Sequence, residues 1–219
     1  MAALCYEKIV TILEQAHRID RKCELFGASK HQYKLNPPLN ATVVRLVEEK
    51  YNFTLPEDYF QFITEIADGG AGPDYGIMSF EDSLMSGAYN NFQEAYKRSL
   101  KTPFVPRPMM LEEVESYSFS KEAYERNPDK FFIYEKEEDD ICGTDGFWVL
   151  GTHGCQWDFG LVVSGERKGQ VFTADNEGAY VFEAYSFCEF YQRWLDWLSD
   201  IENVQKELKM WRELLKKRT

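Results

Sequence analysis

Residues 147–183, FWVLGTHGCQWDFGLVVSGERKGQVFTADNEGAYVFE, decide the fold class of this chain. Short runs of β-branched and aromatic residues alternate here with turn signals rich in Gly, Asp and Ser, a pattern typical of β-strands. It predicts strands at 147–150, 159–163, 170–173 and 179–183, with a further strand upstream at 131–134. Because turns as short as these join only antiparallel neighbours, we expect an antiparallel meander.

Upstream of the sheet, apolar residues recur at helical spacing. A first helix is predicted over residues 4–26, with Gly27 as its stop, from the spacing of Cys5, Ile9, Ile12, Ala16 and Ile19. Asn40 is a good N-cap for a second helix whose apolar face carries Val43, Val44, Val47 and Tyr51.

A third helix is predicted after Thr54, because Thr54 and Glu57 have the spacing of a capping box. Its apolar face carries Tyr59, Phe60, Ile63 and Ile66. It ends at Asp68-Gly69-Gly70, since glycine readily adopts the left-handed conformation that closes a helix. Mixed helix and loop, interrupted by prolines, are predicted over residues 87–130.

A C-terminal helix opens at Ser186 and Glu189, a second capping box. Its apolar series is Phe187, Tyr191, Trp194, Leu198 and Ile201. Continuous, the segment would be about 45 Å long, although Ser199-Asp200 could equally start a separate helix. The sequence therefore predicts one α+β domain over residues 1–219: an antiparallel β-sheet meander flanked by N-terminal helices and a long C-terminal helix.

Composition excludes several classes of protein. The 219 residues carry no long apolar run, so no membrane span is expected. The first residues lack the basic and apolar regions of a signal peptide. The five cysteines are an odd number without a CxxC pair, which favours reduced thiols. We expect a cytoplasmic protein.

The net charge of −12 is concentrated in residues 41–90 and 131–200, whereas both ends of the chain are mildly basic. Nucleic acid is not an expected partner, because binding a polyanion needs clustered cations. A basic protein would be steered towards such a surface. Acidity that serves only solubility is the alternative.

The glycine-rich residues 69–76 invite comparison with a phosphate-binding loop. Their spacing departs from GxGxxG, they follow a helix instead of a strand, and Pro73 removes one backbone donor. A helix stop followed by a tight turn is the favoured interpretation.

Residues suited to metal binding or catalysis are sparse. Cys142, His153, Cys155 and Cys188 form the one soft-metal set, and their spacing is atypical of a zinc site. No GxSxG elbow occurs, and paired carboxylates arise without selection in so acidic a chain. We therefore expect no metal, no cofactor and no catalytic residues.

Aromatic residues beside acids are the stronger signal. Tyr75 follows Asp74, and Trp157 precedes Asp158, a combination typical of protein-binding hot spots. A core position for Trp157 is an equally good interpretation. The candidate partner-binding residues are Asp74, Tyr75, Trp157, Asp158 and Glu177.

Several short segments, in their order along the chain, are similar to the signature of one known family. They are Leu55-Pro56-Glu57-Asp58-Tyr59, Gly72-Pro73-Asp74-Tyr75-Gly76, Gly151-Thr152-His153-Gly154, Leu161-Val162-Val163-Ser164-Gly165, Gly169-Gln170-Val171-Phe172, and Ser186-Phe187 with Trp194-Leu195. Together they resemble the SUKH superfamily of Smi/Knr-type proteins. The resemblance is clearest over residues 40–198, and Phe172 replaces the family's usual tryptophan. Residues 1–39 (a helix and loop) and 200–219 (a helical tail) lie outside it.

The resemblance implies an α+β fold and a non-catalytic function. Bacterial members are typically immunity proteins that neutralise a cognate polymorphic toxin, often a nuclease, by direct binding. Eukaryotic members are scaffolds or regulators. We therefore expect an immunity protein with a basic toxin as partner, and the alternative is a regulatory or scaffold module in cell-wall or signalling control. The sequence leaves the oligomeric state open.

Overall fold

The computed structural model describes residues 4–86, 93–117, 119–133, 145–154, 157–175 and 178–216. The helices are α1 (Tyr6–Ile19), α2 (Ala28–His31), α3 (Ala41–Tyr51), α4 (Glu57–Gln61), α5 (Phe80–Leu84), α6 (Gln93–Ser99), α7 (Leu111–Val114), α8 (Lys121–Arg126), α9 (Phe187–Ser199) and α10 (Ile201–Lys216). The strands are β1 (Arg107–Pro108), β2 (Phe131–Ile133), β3 (Phe147–Gly154), β4 (Trp157–Val162), β5 (Val171–Asp175) and β6 (Ala179–Ala184).

These strands form one antiparallel sheet in the order β1-β2-β6-β5-β4-β3. Strands β3 to β6 follow one another as the predicted meander. Strand β2 extends it on the far side of β6, and β1 pairs with β2 at that edge. The α+β class and the antiparallel sheet between N-terminal and C-terminal helices are confirmed.

The two faces of the sheet are covered by different parts of the chain. Phe147 and Trp148 are consecutive in β3 and so point to opposite faces. The buried Trp148 indole N–H donates to the Tyr59 hydroxyl at 3.1 Å, which ties the sheet to the helical layer. The Phe147 ring instead packs against Phe104 and Phe172, with ring centres 5.7 and 5.1 Å away.

Helix α9 lies over a π-helical turn at Phe62–Ile66 that continues α4. The Phe62 ring contacts Phe187 and Tyr191, with ring centres 4.8 and 4.9 Å away. The Tyr191 hydroxyl reaches further and donates to the carbonyl oxygen of Ala71 at 2.7 Å. Helix α9 is thereby fixed to the glycine segment, residues 69–77.

Helix α1 ends at Ile19, so the prediction that it continues to residue 26 is wrong. The cause is Asp20, which is completely buried. Its carboxylate accepts the backbone N–H groups of Glu24 and Leu25 at 2.8 and 3.0 Å and the Tyr33 hydroxyl at 2.8 Å. These bonds turn the chain out of the helix. Gly27 precedes α2 instead of closing α1.

One predicted capping box is wrong and the other is partly confirmed. Pro56 occupies the N-cap of α4 without a side-chain bond, and Thr54 accepts a hydrogen bond from Lys168. At α9, the Ser186 hydroxyl accepts the Glu189 N–H at 3.1 Å, as predicted. The Glu189 carboxylate accepts the Tyr185 N–H at 3.0 Å.

The C-terminal segment is two helices separated at Asp200, which confirms the alternative of a restart. Asp200 is extended, with φ −79° and ψ 97°. One of its carboxylate oxygens accepts the N–H groups of Glu202 and Asn203 at 3.0 and 3.2 Å, as an N-cap does. Helix α10 then packs against α1 and α9 and buries Val204 and Leu208.

Replacing Tyr59 with phenylalanine tests the bond between the helical layer and the sheet. The variant leaves the buried Trp148 indole N–H without its acceptor, so we expect a loss of about 1–3 kcal/mol in the free energy of unfolding, measured by urea denaturation. Tyr6→Phe is the control, since Tyr6 is 49% exposed. Equal denaturation midpoints for the two variants would contradict this expectation.

Candidate functional site

An aromatic cleft of about 240 Å³ lies where three separate parts of the chain meet. The 20–33 segment forms one wall, the glycine segment forms another, and helices α9 and α10 close the third side. The side chains that give it its character are Phe26, His31, Asp74, Trp194, Trp197 and Glu207. The 20–33 segment holds its shape through the buried Asp20 described above.

The 20–33 segment and the glycine segment touch backbone to backbone. Gly27 has φ +74°, and a Cβ atom at this position would collide with the carbonyl oxygen of Asp74. Asp74 itself has a positive φ of 49°, a conformation that aspartate tolerates better than most residues. This close approach brings Phe26 beside the glycine segment.

The glycine segment is fixed in turn to the end of β3. The Asp74 carboxylate pairs with Nδ1 of His153. The Tyr75 ring lies against Gly154, where a Cβ atom would be 2.7 Å from a ring carbon of the tyrosine. The position of Asp74 and Tyr75 is therefore set by the sheet.

A row of aromatic rings borders the cleft. The Phe26 ring lies 5.2 Å from that of Tyr75 and is stacked on Trp211 at 5.6 Å, with 15° between the planes. The Trp211 indole N–H donates to Glu207 at 3.0 Å. Phe26 is 41% exposed and Trp197 is 37% exposed, so this aromatic surface is open to a partner.

His31 also lines the cleft, with its ring edge-on to that of Trp194 at 6.2 Å. Its Nδ1 accepts the Tyr33 N–H at 3.0 Å. Burial lowers the pKa of His31 to about 4, against the charge of Asp20 and a hydrogen bond with the Asp74 backbone, which raise it. Burial, followed by the hydrogen bond and charge of Asp20, raises the pKa of Tyr33. At neutral pH the side chains of His31 and Tyr33 are therefore uncharged.

The acidic residues that line the cleft are Asp74 and Glu207, and its described lining includes no lysine or arginine. The nearby Arg212 donates to Glu24 through Nε at 2.8 Å and so is already paired with an acid. The cleft combines apolar rings with negative charge. Such a surface can bind a partner that presents apolar and cationic groups.

The candidate residues from the sequence fall at different places. Asp74 and Tyr75 come together beside the cleft. Trp157 is half-buried, with its ring edge-on to Phe119 at 5.3 Å. Asp158 is the next residue of β4 and points to the other face of the sheet. Glu177 lies outside the described residues.

The Asp158 carboxyl group is crowded by protein atoms although part of the residue is exposed. Desolvation raises its pKa, and the Thr152 hydroxyl and the charge of His153 act in the opposite direction. Thr152 is its register partner in β3. Asp158 thus belongs to the surroundings of the β3–β4 pair and not to the cleft.

Sequence reasoning missed Phe26, His31 and Trp197 as site residues, and placed Trp194 only on an apolar helix face. The available signal was the pair of tryptophans one turn apart in α9. Two large apolar residues at this spacing extend the apolar stripe of a helix towards its exposed side. Phe26 and His31 carry no comparable local signal, because their position depends on Asp20.

Of the four residues considered for a metal site, His153 and Cys188 lie in the described part of the chain. His153 is paired with Asp74, and the Cys188 N–H donates to Asp58 at 2.9 Å. Cys142 and Cys155 lie outside the described residues. Within the described ranges, no group of three His, Cys, Asp or Glu residues is placed to hold a metal ion. None of the helices described above has the length and apolar character needed to cross a membrane.

Searches against protein-family models and against curated proteins found no match to this chain. The similarity to the SUKH superfamily therefore rests on the short segments quoted above. Gly72, Asp74 and Trp194, which belong to those segments, all line the cleft.

The half-buried His31 predicts a dependence of stability on pH. The unfolded side chain takes up a proton near pH 6.5 and the folded one only near pH 4, so the unfolded chain binds more protons between these values. The free energy of unfolding should therefore fall as the pH is lowered through this window, by about 1–3 kcal/mol from His31 alone.

The variant His31→Asn keeps an acceptor near the Tyr33 N–H and removes the titrating group. Urea denaturation at pH 6.5 and pH 4 should show a smaller loss of stability for this variant than for the original protein. His17→Asn is the control, because His17 is exposed on α1. The same loss in all three proteins would show that His31 does not titrate as described.

Proposed function

We propose that this chain is a non-catalytic protein-binding domain that acts in the cytosol as an immunity protein. It neutralises a cognate polymorphic toxin, a basic and possibly nuclease protein, by binding it directly. The observation that carries the proposal is the aromatic cleft, where exposed rings lie beside carboxylates with no cation in the described lining.

The cleft has the make-up of a binding hot spot. A few residues supply most of the binding energy at protein interfaces; tryptophan and tyrosine are enriched among them, in places where neighbouring groups exclude water. Trp197 and Phe26 are partly exposed at the rim, whereas Trp194 and Tyr75 are half-buried behind them. A partner that covers the rim would desolvate all four rings.

The architecture around the cleft supports tight binding because it is already ordered. Asp20 holds the 20–33 segment by three hydrogen bonds, and the glycine segment is fixed to β3 through Asp74. A surface that is ordered before binding loses less conformational entropy when the partner arrives.

The net charge of −12 favours a partner with a positive net charge. Nuclease toxins are basic because they hold nucleic acid, and attraction between opposite charges raises the rate of association. Such attraction is screened by salt, since the Debye length falls to about 3 Å at 1 M. The association rate with the toxin should therefore fall as salt is added.

The test is a binding titration against the toxin encoded beside the gene, with the Trp197→Ala variant. We expect the dissociation constant to rise by about tenfold or more, as for loss of a hot-spot tryptophan. Tyr185→Ala is the matched control, because Tyr185 is an aromatic residue that is 79% exposed and does not line the cleft.

Failure of the unmodified protein to bind this toxin at low salt would contradict the proposal. The regulatory or scaffold function would then be the alternative. Equal effects of Trp197→Ala and Tyr185→Ala on the dissociation constant would show that the binding surface is not the cleft.

A further inference from the structure

We propose that the aromatic cleft receives an arginine side chain of the partner, whose guanidinium lies against the rings and near the carboxylates. This inference rests on the proposed function, because it names the group by which the partner is recognised. Ring faces, negative charge and a small volume occur together in this cleft.

The walls are suited to a planar cation. Trp194, Trp197 and Phe26 line the cleft together, and an arginine guanidinium stacks on such rings through cation–π attraction. The protein uses this contact elsewhere, since the Arg45 guanidinium carbon lies 3.6 Å from the centre of the Phe60 ring. In the cleft the rings are present, and the described lining supplies no cation of its own.

The acidic residues give the cleft the negative charge that attracts a cation. Within the described part of the chain, the Glu207 carboxylate accepts a hydrogen bond from the Trp211 indole, which is a neutral donor. Asp74 is the second acidic residue of the lining, and its carboxylate pairs with His153. Asp20 adds negative charge behind Tyr33. His31, which also lines the cleft, is neutral at pH 7 and does not repel a cation.

The volume selects a single side chain over a larger ligand. Pockets for drug-sized molecules measure roughly 300–1,000 Å³, whereas this cleft measures about 240 Å³. A side chain presented by a folded partner fits a cleft of this size, because the remaining affinity comes from the surrounding surface.

The test uses short blocked peptides on the intact chain: one with a central arginine, one with citrulline, its neutral isostere, and one with lysine. Binding is followed by NMR through the indole N–H signals of Trp194 and Trp197. We expect the arginine peptide to shift these signals saturably and the citrulline peptide to bind about fivefold more weakly or not at all.

Charge variants on α10 separate a local effect from a general one. Glu207→Gln preserves an acceptor for the Trp211 indole and should weaken binding of the arginine peptide by about two- to fivefold, as for loss of a partly exposed ion pair. Glu202→Gln changes the net charge equally at an exposed residue outside the cleft and should leave binding unchanged.

Equal binding of the arginine and citrulline peptides, or equal effects of the two glutamate variants, would overturn the inference. Stronger binding of lysine than of arginine would overturn the choice of a guanidinium. A concentration-dependent dimer, seen by sedimentation and lost in Trp197→Ala, would make a second copy of the chain the occupant instead. If the peptides fail while Trp197→Ala still weakens toxin binding, the proposed function stands and this inference alone is wrong.

Discussion

The structure depends on backbone contacts made by the glycine segment. Gly70 forms bridges with both Leu35 and Ile77, so the segment lies between the N-terminal part of the chain and its own continuation. The next N–H, that of Met78, donates to the Leu150 carbonyl of β3 at 2.7 Å. The stretch between α2 and α3, the sheet and α9 therefore all contact this segment, at a place where side chains would prevent the approach. Glycine is needed there because it has no Cβ atom.

The cleft follows from this constraint. Once the glycine segment is fixed against β3, Asp74 and Tyr75 face the 20–33 segment, and Gly27 allows that segment to approach closely. The break at Asp200 then turns α10 back, so that Trp211 reaches Phe26. A continuous helix would carry Trp211 away from the body of the protein. Two carboxylates, Asp20 and Asp200, thus shape the site by accepting backbone N–H groups.

The elements that the sequence predicts correctly are those fixed by local pattern. The strands and the Asn40 cap depend on residues a few positions apart. The errors arise where a distant partner decides. Thr54 is engaged by Lys168 and so does not cap α4, and Asp20 is buried by Tyr33 instead of lying on a helix surface. The same distinction applies to the residues of the site. Asp74 could be identified from the local turn that contains it, whereas Phe26 reaches the site only through tertiary contacts.

The charge of the site also depends on tertiary pairing and not on segment totals. The last nineteen residues are basic overall, yet they supply Glu207 to the cleft, and their Arg212 is neutralised by Glu24. The acidic segment 41–90 supplies Asp74, but its charge is shared with His153. Glu207, whose described donor is neutral, is therefore the stronger source of negative potential in the cleft. The acidity of the chain and the sign of its candidate binding surface agree, but they are set by different residues.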